Sequence, residues 1–189
     1  MNKNSFLKDY FKKLEKLINF SDEEIKKIIT VSDIIKGAHK SNKKTLIFGN
    51  GGSAAIASHF SVDLTKNARV RCTNYNESDL LTCFSNDYGY DKWVEKAIEF
   101  YSDEDDILIL ISSSGSSKNM INAANYAKKN KIKTIITLTG NKEDNPLKKL
   151  GDINFWVDSS AYNHIENIHQ IILLSLVDLI IGKSEYPAS

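Results

Sequence analysis

The stretch that most restricts what this chain can become is Ile107–Ser117, I-L-I-L-I-S-S-S-G-S-S. An unbroken aliphatic run of strand type reads as a strand buried on both faces, which belongs to a parallel sheet covered by helices. The chain then empties into a cluster of hydroxyls around Gly115, and a helical segment follows from Lys118. Backbone N–H groups at a helix start, joined by several hydroxyl donors, suit an anion such as phosphate. The loop holds no Lys or Arg, so its donors are neutral. That fits a sugar phosphate better than a nucleoside triphosphate, which needs a lysine and a metal, and no nucleotide cofactor is expected.

With 189 residues, the chain has the length of one domain with a substantial core. Net charge is +1 without a basic block or acidic tail, which gives no reason to expect nucleic acid or an anionic membrane as partner. Cys72 and Cys83 are the only cysteines and suggest two reduced thiols rather than a disulfide framework. Met1–Lys16 lacks the apolar centre of a signal peptide, and no apolar run is expected to reach membrane-spanning length. The expected location is the cytoplasm.

Residues 1–42 read as a helical pair. Phe6, Tyr10, Phe11, Leu14 and Leu17 recur at helical spacing within Ser5–Asn19. Ser21, with Glu24 three residues on, opens a second helix through a capping box. This pair is expected to pack partly on its own domain and partly on other copies of the chain. Residues 43–183 alternate in α/β fashion. Strands are expected at Thr45–Phe48, Val70–Cys72, Leu80–Phe84, Ile107–Ile111, Thr134–Leu138 and Ile153–Val157, with Asn86–Gly89 as a turn. Helices fill the intervals, and a last one runs from about Asn163 to Ile181. The fold class is α/β, a doubly wound parallel sheet flanked by helices, which binds ligands at the carboxyl ends of its strands.

Two such ends carry polar loops. Gly49–Ala55, G-N-G-G-S-A-A, lets backbone approach a ligand through Gly51, Gly52 and Ser53, although such a turn also serves as an ordinary β–α connection. It lacks the spacing of the dinucleotide fingerprint. Ser112, Ser113, Ser114, Ser116 and Ser117 gather around Gly115, although a serine-rich turn is commonly a helix cap. Two such loops in one sheet strengthen the reading of each as part of a phosphate cradle. His59 and Asp63, at i and i+4, share a helix face, as do Glu166 and His169 at i and i+3. Such pairs can ligate a metal or pair a base with its orienting partner, or simply exchange a surface hydrogen bond. His169 borders an apolar stripe of Ile165, Ile168 and Ile172, and His39 and His164 are expected on the surface.

With these residues in view, the chain resembles the phosphoheptose isomerase family of sugar isomerase (SIS) domains. The matching segments are Gly49–Ala55, Ser58–Leu64 (S-H-F-S-V-D-L), Ser85–Tyr90 (S-N-D-Y-G-Y), Ile111–Ser117, Leu138–Gly140 and His164–His169 (H-I-E-N-I-H). They occur in family order and span nearly the whole chain. The resemblance implies a single SIS domain over residues 1–189, a flavodoxin-like sheet, and aldose–ketose isomerisation of a heptose 7-phosphate for surface-polysaccharide synthesis. It also implies a homotetramer whose sites lie between subunits, with the N-terminal helices in its bundle. The phosphate and sugar contacts it implies are Gly51, Gly52, Ser53, Asn86, Asp87, Ser112, Ser113, Ser114 and Ser117.

The chain departs from the family where the chemistry lies. His59 keeps the family's metal-binding histidine, but the carboxylate four residues on is Asp63 instead of Glu, shorter by roughly 1.5 Å. The family's ligating Gln is Glu166 here, an Asp three residues earlier is Asn163, and the later catalytic His is Leu174. The expected catalytic set is therefore Asp63 as base with Glu166 or His169 as acid. A zinc site of His59, Asp63 and Glu166 is the expected metal centre. The alternative is a phosphosugar-binding or protein-interaction module without turnover.

Overall fold

A computed structural model of the chain describes residues 1–130 and 132–187. Two helices, α1 (Lys3–Leu17) and α2 (Asp22–Lys40), precede β1 (Thr45–Phe48) and α3 (Gly52–Lys66). The chain continues through β2 (Cys72–Thr73), α4 (Ser78–Tyr88), α5 (Trp93–Tyr101), β3 (Ile107–Ser112) and α6 (Lys118–Ala127). It ends in β4 (Thr134–Thr139), β5 (Ile153–Trp156) and α7 (Tyr162–Ile181). The strands form one five-stranded sheet in the order β2-β1-β3-β4-β5, parallel at every pairing. The order reverses between β1 and β3, the position at which such sheets open a crevice for ligands.

The aliphatic run works as its pattern implies. Ile107, Ile109 and Ile111 face a core layer built with Ile35 of α2, Phe60 of α3 and Ile172 of α7. Leu108 and Leu110 face the other layer, with Trp93 of α5 and Met120 of α6. All six residues of β3 are buried. At its entry Asp106, fully buried, accepts from the Lys44 and Asp103 backbone N–H groups at 2.9 and 2.8 Å and meets Lys44 Nζ at 2.7 Å. This clamp sets β3 beside β1.

The expected capping box of α2 is present: Ser21 accepts from the Glu24 N–H, and the Glu24 carboxylate accepts from the Ser21 N–H. Leu80–Phe84 is a correction, since it lies inside α4 rather than forming a strand. Asn86 and Asp87 follow it into that helix and leave only Gly89 as the turn. The expected surface placement of His164 also fails, because it is 5% exposed with its ring against Tyr10 of α1, centroids 4.3 Å apart. Helix α7 is long and apolar enough to cross a membrane by length and composition, contrary to expectation. Its apolarity has a core function: Ile165, Ile168, Ile172 and Leu176 are buried in the layer shared with α2 and α3.

Candidate active site

A cleft of about 450 Å3 opens between α3 and α7 and is walled at one side by Tyr10 of α1. Gly52, Ala55, Ile56 and His59 line it from α3, and Asn163, Glu166, Asn167 and Gln170 from α7. Gly52 allows the two helices to meet there. A Cβ at that position would fall 2.7 Å from Glu166 Cδ, so any larger residue would displace the carboxylate. Glu166 is thus seated at the first turn of α3, where the helix dipole favours a negative charge.

His59 stands further along the same wall. The Gln170 amide donates to its Nδ1 at 3.1 Å, which leaves the ring proton on Nε2, 3.2 Å from Asp63 Oδ2. Asp63 also accepts from Asn67 Nδ2 at 3.2 Å. Asp63 therefore orients His59 and does not itself line the cleft. Gln170 joins the site as a residue the sequence reading passed over; its position four residues after Glu166 on one helical face was the available signal.

His169 lies elsewhere. It is fully buried, donates from Nε2 to the Thr139 carbonyl at 3.1 Å, and its Nδ1 has no partner. Burial pushes its pKa down to about 4 against the opposing pull of the Thr139 bond. The expectation that His169 supplies an acid to the substrate fails on this geometry, because a fully enclosed neutral imidazole does not reach the cleft. Half-buried Leu174 offers no proton either.

The expected zinc centre asks more of the donors present than they supply. A catalytic zinc takes three protein ligands and keeps a fourth position open. His59 and Asp63 stand together, but the Glu166 carboxylate is packed on Gly52. Among the described residues no group of three His, Cys, Asp or Glu side chains could hold a metal ion. The trio of His59, Asp63 and Glu166 does not fit zinc within this chain.

The second polar loop follows β3. Gly115 adopts φ +65°, and a Cβ there would fall 2.6 Å from Asn145 Cβ. Asn145 is buried and supports the loop while donating to the Lys142 carbonyl at 2.8 Å. Ser117 is the N-cap residue of α6 yet makes no capping bond; its hydroxyl lies 2.9 Å from that of Ser112. Ser113 is 6% exposed, and its Oγ is buried without a partner. The loop therefore is not consumed by capping its own helix. Ser53 is buried in the first turn of α3, packed against Gly49. Asn86 and Asp87 are exposed at the end of α4 and bond to each other at 2.9 Å, away from the α3–α7 cleft.

The SIS domain family model matches residues 9–140. The phosphoheptose isomerase of Fusobacterium nucleatum is 32% identical over 183 residues, covering 94% of this chain and 93% of that protein. That of Buchnera aphidicola from Acyrthosiphon pisum is 35% identical over 171 residues, covering 84% of this chain and 88% of its own. The solved phosphoheptose isomerase from Francisella tularensis superposes with a TM-score of 0.88 at 26% identity, over 97% of this chain and 100% of that one. By fold, by domain and by relatedness along its length, the chain belongs to the phosphoheptose isomerase family of SIS-domain proteins.

Proposed function

We propose that this protein is a cytoplasmic phosphoheptose isomerase that interconverts sedoheptulose 7-phosphate and an aldoheptose 7-phosphate for surface-polysaccharide heptose synthesis. The observation that carries the reading is the buried, unpartnered Ser113 hydroxyl within a loop of serines at the carboxyl end of β3. Neutral donors preset at a helix start accept a phosphate without a bound cation. The α3–α7 cleft, from this chain or a neighbouring copy, holds the reacting end of the open-chain sugar.

Isomerisation removes a proton from the carbon beside the carbonyl and delivers one to the neighbouring carbon, while the hydroxyl and carbonyl exchange places through an enediol. One carboxylate on the cleft wall is placed to take a proton from carbon, that of Glu166. Glu166 is assigned as the base. His59, whose Nδ1 accepts from Gln170 and whose Nε2–H faces Asp63, is assigned to hold the sugar against Glu166, and Glu166 and solvent exchange the protons of the two oxygens. Asp63 serves as the orienting partner of His59, and no step is routed through a metal.

One observation favours a second reading, binding without turnover: α7 carries Leu174 and an enclosed His169, which leaves Glu166 as its only proton-transfer group in the cleft. Incubation of the purified protein with sedoheptulose 7-phosphate, with and without added zinc, separates the two. Aldoheptose formation is expected, and Glu166→Gln is expected to lower kcat by about 100-fold or more. Saturable binding of the sugar phosphate with no product in either condition establishes the binding module instead.

A further inference from the structure

The loops after β1 and β3 are joined by side chains to which the isomerase reading gives no role. Asn119, in the first turn of α6 and 2% exposed, pairs reciprocally with Asn50: Asn50 Nδ2 donates to Asn119 Oδ1 at 3.0 Å, and Asn119 Nδ2 donates to Asn50 Oδ1 at 2.9 Å. Tyr90, just past the end of α4, donates its hydroxyl to the same Asn50 Oδ1 at 3.0 Å. The pair bridges the place where the strand order reverses.

The orientation of both amides is determined by one bond. The Met120 backbone N–H donates to Asn119 Oδ1 at 3.1 Å. A backbone N–H can only donate, so it identifies the oxygen end of Asn119, and Asn119 in turn identifies that of Asn50. Asn50 Oδ1 then has both lone pairs filled, and Nδ2 has committed one of its two protons. What Asn50 retains is a single N–H, on a half-buried side chain in the crevice where such sheets bind ligands.

We propose that Asn119 and Tyr90 are positioning residues for the isomerisation, clamping the Asn50 amide so that its one uncommitted N–H is a fixed donor to an oxygen of the sugar. Negative charge grows on the carbonyl oxygen as the enediolate forms, and a preoriented donor gains most where charge develops. An unclamped Asn50 can turn its oxygen inward instead, which harms the transition state more than the bound substrate. The inference rests on the isomerase reading.

Two variants test it. Tyr90→Phe keeps the ring of a half-exposed residue and deletes one bond. Asn119→Asp keeps the size and the acceptor for Met120 but sets a second oxygen against Asn50 Oδ1. Expected are a kcat lowered about fivefold by the first with KM within about twofold, and a kcat lowered about tenfold or more by the second, whose added carboxylate also raises KM. A phosphorylated aldonohydroxamate, which mimics the enediolate, is expected to lose about the same factor in affinity relative to inorganic phosphate, which itself binds Tyr90→Phe unchanged and Asn119→Asp more weakly because of the added carboxylate at the start of α6. Unaltered kcat and hydroxamate affinity, or a loss confined to KM, overturns the proposal. Should the unaltered protein show no turnover, the isomerase reading fails, and the ratio of hydroxamate to phosphate affinity still decides the clamp. If Asn119→Asp does not fold, Tyr90→Phe decides alone.

Discussion

At the scale of single residues, His169 shows how a group of catalytic type can serve the fold instead. Its ordinary pKa of 6.5 falls to about 4 on burial. Below pH 6.5 the unfolded chain takes up a proton that the native ring refuses until about pH 4. The stability it supports is therefore complete above the unfolded value and is lost as pH falls through this window. Lowering the pH from about 7 to about 5 should cost roughly 2 kcal/mol more in the natural chain than in His169→Gln, which keeps a neutral donor for Thr139. Urea titrations at the two pH values measure the difference. The same variant should retain turnover at neutral pH, whereas loss of a true general acid costs about 100-fold or more. Gly52 gives the converse case. Gly52→Ala is expected to preserve the fold but to push Glu166 out of its seat, lowering kcat as Glu166→Gln does; circular dichroism and kinetics together check this.

At the scale of elements, legibility followed length and periodicity. Strand β3 and helices α2 and α7 were readable because a continuous aliphatic run or a long 3.6-residue stripe has one good interpretation. Leu80–Phe84 was not, since a short apolar run fits either a strand or one side of a helix. It becomes helical because Leu80, Leu81 and Phe84 pack on the α5–α6 layer, while β2 spans only two residues at the sheet edge. The serine loop was legible because its chemistry lies within a few consecutive residues. The Gln170–His59 contact was not, for it joins residues 111 positions apart. Asp106 was hidden for the same reason. Burial works to lower the Lys44 pKa, but the hydrogen bonds to Asp103 and Asp106 outweigh it and hold it above its usual value. Asp106→Ala leaves the half of this clamp at Lys44 without its enclosed partner and should cost about 3 kcal/mol of stability in chemical denaturation.

At the scale of the whole molecule, α1 is out of proportion to what this chain alone requires. None of its residues is buried, yet Phe6, Leu7 and Phe11 are 50%, 50% and 60% exposed, and Ile25 and Ile29 of α2 are exposed as well. Apolar surface of this kind along two consecutive helices suits association between copies, and Tyr10 carries α1 to the wall of the α3–α7 cleft. Assembly and catalysis should therefore be coupled. The expected state is a homotetramer, with these helices buried between copies. Replacing both Phe6 and Phe11 with Glu removes no contact from the core of a single chain, so secondary structure and the midpoint of the core's unfolding should persist. Light scattering should nevertheless show smaller species at micromolar concentration, and turnover should fall with the loss of assembly. A tetramer that survives both substitutions, or a dissociated chain with full activity, would place the interface elsewhere and separate it from the site.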